Sequence, residues 1–126
     1  MSYQVPVSKA GGFLPVPSPW RKTIHDIVEA FREKDFILAR SVPNVNPVPQ
    51  REATWLAEYI EDYGDELAEL PDETWATSVC ERVGDFWDIS VDLYTVNEGH
   101  SDMVLELRVR EDGNGYVFEV RSVYVP

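Results

Sequence analysis

A chain of 126 residues has the common size of a single domain with one core, and its 44% hydrophobic content with 4 Trp, 6 Tyr and 5 Phe excludes a disordered chain. Its formal net charge of −12 is uneven: residues 51–92 hold 13 Asp and Glu against 2 Arg, so this part repels phosphate backbones, which excludes nucleic acid and leaves a basic protein partner or plain solubility. The chain lacks the apolar run of about 18 residues a membrane span needs and a secretory-type apolar core, pointing to a cytoplasmic protein without membrane contact, while a single cysteine excludes an intrachain disulfide and a multi-thiolate zinc site.

The first 18 residues, with Pro6, Pro15, Pro17 and the Gly11, Gly12 pair, read as an extended arm preceding one α+β domain over residues 19–126. Weak alternation at residues 3–7 fits an edge strand. Ser18 before Pro19 is a helix-start signal, and Trp20, Ile24, Ile27, Val28 and Phe31 follow at helical spacing, which predicts a helix over 19–34. Pro43, Pro47 and Pro49 then impose a linker. A second helix is predicted over 50–63, with Ala53, Leu56, Ala57 and Ile60 as its apolar stripe and Gly64 as its stop. A third is predicted over 72–83, capped by Asp72, burying Trp75, Val79, Cys80 and Val83, and ending at Gly84.

After Gly84 the apolar period becomes two. Trp87, Ile89, Val91 and Leu93 form one such series; Met103, Leu105, Leu107 and Val109 a second; Tyr116, Phe118 and Val120 a third. Turn formers over 97–102 and 112–115 make consecutive antiparallel hairpins the economical topology. The expected fold is therefore α+β, with N-terminal helices packed on one face of a C-terminal three- or four-stranded antiparallel sheet.

Two groups of residues carry candidate chemistry. Asp92 and the turn Asn97, Glu98, Gly99, His100, Ser101, Asp102 bring carboxylates, an imidazole and a hydroxyl together as a polar site, although turns use Asn, Gly, Ser and Asp for backbone reasons alone. No metal-ligand spacing, phosphate loop or nucleophile elbow accompanies them, so no catalytic residue, metal or cofactor is assigned. His25 beside Asp26 reads as a surface histidine. Asp88 and Asp92 share a strand face roughly 13 Å apart, too far to cooperate, and Arg108, Arg110 and Arg121 are candidate cross-strand partners. Cys80 among apolar neighbours reads as an inert thiol.

The second group is the acidic run Glu58, Glu61, Asp62, Asp65, Glu66, Glu69, Asp72 and Glu73, which is either a solvated face or a docking surface that steers a basic partner. Trp55, Tyr59 and Tyr63 beside it are either core residues or the aromatic anchors such interfaces favour.

The stretch WDISVDLYTVNEGHSDMVLELRV over residues 87–109, with GYVFEVRSVYVP after it, resembles small uncharacterised bacterial α+β proteins with a helical front half and this sheet. Its most specific positions are Asp92, Glu98, Gly99, Ser101 and Asp102. The resemblance implies the fold and brings no activity. By element order alone the layout also resembles the cystatin-like and nuclear-transport-factor-like arrangements, in which a curved sheet wraps a helix.

The leading functional expectation is a protein-binding domain, concretely an immunity-type inhibitor of a basic toxin or other basic protein, acting through Glu58, Glu61, Asp62, Asp65, Glu66 and Glu69 with Trp55 and Tyr59. The alternative is a small-ligand-binding or enzymatic domain, with a pocket between sheet and first helix lined by Trp20, Trp87 and Tyr116 and approached by His100 and Asp102. A structural module joining copies through a sheet edge is a third reading.

Overall fold

The period-two pattern after residue 84 is realised as a meander. A computed structural model describes residues 4–126, in which β2 (Val79–Val83), β3 (Phe86–Thr95), β4 (Gly99–Asp112) and β5 (Gly115–Tyr124) pair in chain order, each antiparallel to the last. A three-residue strand, β1 (Phe13–Pro15), joins β2 at the other edge, giving five strands rather than three or four. In register, Cys80, Ile89, Leu107 and Val120 stand in one row, and Trp87, Val109 and Phe118 in another. These rows form the inner face, because alternate side chains of a strand point the same way.

Two helices cover that face. The predicted first helix is a single 3-10 turn, Ser18–Trp20, running into α1 (Arg21–Arg32); α2 (Gln50–Tyr63) matches its expected span. Gly64 ends α2 in the left-handed conformation, at φ 87°. Ile24, Ile27, Val28 and Phe31 of α1, with Ala53, Leu56 and Ile60 of α2, are buried in one cluster with the inner-face strand residues. At its centre Trp20 meets Trp87 and Tyr116 edge to face, both at centroid distances of 5.2 Å.

The expected third helix is a correction. Residues 72–76 form only a 3-10 turn with no side-chain cap from Asp72, and 79–83 are strand β2. Val79, Cys80 and Val83 suit a helical stripe in isolation, but Val79–Val83 has a long neighbouring strand to pair with, and the ladder to β3 outweighs local preference. Cys80 still points inward and is buried, whereas Val83 is exposed on the outer face. Gly84, expected as a helix stop, is instead the first turn residue of the β2–β3 hairpin, with φ 60°.

The proline-rich start is partly built into the sheet through β1. Ser18 does not cap α1; its hydroxyl accepts the Val5 N–H at 2.7 Å while its own N–H donates to the Val5 carbonyl at 2.8 Å. Trp87 Nε1 donates to the Ser8 carbonyl at 2.8 Å, so the arm is fastened across the core rather than loose. Of the edge strand expected at 3–7, Tyr3 lies outside the described residues and 4–7 are not a strand.

The β1 edge is short, and the β5 edge is covered at Phe118. At β5, the Phe118 N–H donates to the Asn44 carbonyl and the Asn46 N–H donates to the Phe118 carbonyl, so the proline linker lies alongside this strand. At the far end of β3, residues 66–68 extend the pairing: Ala68 N–H donates to the Tyr94 carbonyl and Val96 N–H to the Glu66 carbonyl, both at 2.8 Å. This last contact carries the acidic segment to the 97–102 turn.

Candidate functional site

The two sequence candidates, acidic run and polar turn, meet as one surface at the end of α2. Asp65, just past the Gly64 cap, accepts the Asn97 N–H at 3.2 Å, the Asn97 Nδ2 amide at 2.9 Å and the Glu98 N–H at 3.0 Å. Tyr63 donates its hydroxyl to Glu98 Oε2 at 2.7 Å and accepts the Asp102 N–H at 3.0 Å. The Asp102 N–H favours the phenolate, but the Glu98 bond, desolvation and the charges of Glu98 and Asp102 together raise the Tyr63 pKa above its ordinary value.

Inside the turn, most groups are engaged in holding it. Ser101 is buried, donating to the Leu93 carbonyl at 2.7 Å and accepting the Met103 N–H at 3.1 Å. His100 stacks on Tyr94 with ring centroids 5.1 Å apart, and its Nε2 lies 3.6 Å from Asp92 Oδ2. Asp92 Oδ2 also accepts the Thr77 hydroxyl, and the Asp92 carbonyl accepts the Thr74 hydroxyl. Among the described residues, no group of three or more His, Cys, Asp or Glu is placed to hold a metal ion, and no helix is long and apolar enough to cross a membrane.

The residues proposed to line a pocket between sheet and first helix do not converge on an opening. Trp20, Trp87 and Tyr116 fill that region against one another. Trp87 and Tyr94, on which His100 stacks, are seven residues apart on β3, about 23 Å at strand rise, so the histidine lies at the opposite end of the sheet.

A groove of about 820 Å³ does open elsewhere, between the C-terminal turns of α1 and α2. Phe31, Phe36, Ala57, Ile60 and Leu67 form its floor, with Val96 at one side. Its rim holds Glu29, Glu33, Glu61, Asp65 and Glu66 against Arg32 and Lys34. Arg32 Nη1 binds both oxygens of Glu29, at 2.9 and 2.8 Å, and Glu33 pairs with Arg40. Glu61 and Glu66 make no ion pair or side-chain hydrogen bond among the described residues.

The acidic run is thus divided. Glu61, Asp65 and Glu66 border the groove. Trp55, Glu58, Tyr59 and Asp62, at helical spacings of three and four, share the opposite side of α2, where Trp55 and Tyr59 are 56% and 39% exposed. They are surface residues, not core. Arg51 lies over the Trp55 ring at 4.9 Å, and Tyr59 Oη accepts the Val125 N–H at 2.9 Å. Glu69 lies apart, 3.1 Å from His25 Nε2.

Sequence reasoning missed the groove, though one signal for it was present. Both helices carry acids at their C-terminal ends, Glu29 and the cap residue Glu33 beside Arg32 at α1, and Glu61 and Asp62 with no basic residue on α2, where the helix dipole prefers cations. On the outer sheet face, by contrast, Arg108 Nε meets Asp88 Oδ1 at 3.1 Å, the cross-strand pairing that alternation predicts.

Comparison with curated proteins and with solved structures found no match. Residues 28–126, from the middle of α1 through the whole meander and the groove's lining, match the family described as Domain of unknown function (DUF7668), and the chain belongs to that family.

Proposed function

We propose that the protein is a binding domain that docks a basic protein through α2 and the acidic segment after it, acting as an immunity-type inhibitor that masks its partner. The observation that carries this reading is one face of α2 where exposed Trp55 and Tyr59 alternate with Glu58 and Asp62, carboxylates without partners among the described residues. Aromatic rings with low conformational freedom supply affinity at interfaces, and an excess of one charge sign speeds encounter with the opposite sign. The net of −11 over residues 51–92 supplies that field.

The test replaces Glu58, Glu61, Asp62 and Glu66 by Lys and leaves Asp65, which holds the turn, untouched. Tagged wild type should retain a basic protein from host lysate at low salt and release it as salt rises, while the variant retains none. With the purified partner, stopped-flow association should slow by about tenfold or more in the variant and lose its salt dependence. Equal retention and equal association rates would remove the acidic surface from the interface.

A further inference from the structure

Two helices end at one groove with their dipoles and their carboxylates both negative there. The α1 end contributes Glu29 and Glu33; the α2 end contributes Glu61, with Asp62 in the same last turn and no basic residue. Helix C-termini favour cations, so acids in these turns cost the free protein stability. Internal cations offset part of this at α1, where Arg32 binds Glu29 and Arg40 binds Glu33. At α2 no ion pair does: Glu61 and Glu66 line the groove without partners among the described residues, and with Asp65 they outnumber Lys34, the one lining cation that makes no ion pair among those residues. Below them Phe36, Ala57 and Leu67 give an apolar bed suited to a methylene stem, and a long cationic side chain lays its stem on such a surface while its charged head stays in polar surroundings.

We propose that this groove seats a lysine or arginine side chain of a basic protein partner, with the charged head between Glu61 and Glu66 at the end of α2. This rests on the reading above that the partner is a basic protein, and assigns that partner's anchoring side chain to a place the acidic face alone does not specify. The volume of about 820 Å³ holds one such side chain and an apolar neighbour from the same segment.

The experiment is a titration of the full-length, isotopically labelled chain with a capped hexapeptide of alternating leucine and arginine, followed by amide chemical shifts at low salt. The same peptide with neutral citrulline in place of arginine is the comparison. Shifts should concentrate at residues 29–36, 57–67 and 96, vanish with the citrulline peptide, and diminish with salt. The double variant Glu61→Gln, Glu66→Gln, two unpartnered surface positions whose exchange leaves the fold intact, should weaken binding roughly fivefold. The variant Glu81→Gln, Asp85→Asn removes the same charge from the β2–β3 hairpin and should leave it unchanged. Arginine-dependent shifts confined to Trp55, Glu58, Tyr59 and Asp62 would overturn the groove and keep the acidic docking surface. Shifts at the groove that the citrulline peptide reproduces would overturn the cation's part in it. No arginine-dependent shift anywhere would overturn both readings together.

Discussion

Desolvation around Asp65 opposes its charge, yet the hydrogen bonds it accepts, those from Asn97 and Glu98 among them, outweigh this and hold its pKa below the ordinary 3.8. A carboxylate whose pKa is depressed by folding contributes stability above its unfolded value, and that stability is lost as pH falls through the folded one. Asp65→Ala should therefore lower the urea midpoint at about pH 7, and its deficit relative to wild type should shrink at about pH 3. A deficit independent of pH would mean the charge is not what holds the turn. Cys80 behaves oppositely: burial first, and the charge of Asp88 second, push its thiol to about 11. Iodoacetamide should accordingly leave the native protein unmodified at neutral pH and label it promptly in urea; fast native labelling would show an accessible thiolate. The inert thiol was legible from apolar neighbours close in sequence. The structural duty of Asp65 was not, since its partners lie more than thirty residues away and only the closed sheet brings them near.

The hairpins of the meander rest on turn chemistry at single positions. An added Cβ at Gly84 would meet no atom within 4 Å, so any cost of Gly84→Ala comes from the backbone at φ 60° alone. That cost should be about 1 kcal/mol in urea unfolding, whereas Gly11→Ala, equally open but without a positive φ, should be near neutral. Equal effects at both sites would remove the conformational explanation. This glycine also shows where reading elements from sequence works and where it fails. Helix α2 was legible to the residue because Pro49, an amphipathic stripe and Gly64 agree; over 72–83 a plausible stripe and a terminal glycine misled, because one residue type ends helices and opens hairpins. The first 18 residues hid β1 for a related reason. Three residues carry too little alternation to register, and their strand exists only because β2 offers an edge.

At the scale of the molecule, strands β2 to β5 each pair with their neighbour in sequence, so most of the sheet closes through short loops. Only β1 waits on a distant partner, since Pro15 pairs with Val79 across both helices. Closing so long a loop costs entropy for three residues of ladder. Amide exchange at Leu14 should therefore run at least about tenfold faster than at Ile89 or Leu107 in the sheet centre. Equal protection would mean that β1 opens only with the whole sheet. The opposite margin of the sheet carries a different consequence. Bare strands invite copies of themselves, and stacking of that kind grows without limit. Along β5 the linker has already taken both backbone groups of Phe118, and Pro43 and Pro47 flank the residues that do so. Proline has no amide hydrogen to pass on. The linker thus works as a terminator at Phe118, occupying the place of a next strand there while withholding a template for another, which stops growth into fibrils at that point of the margin.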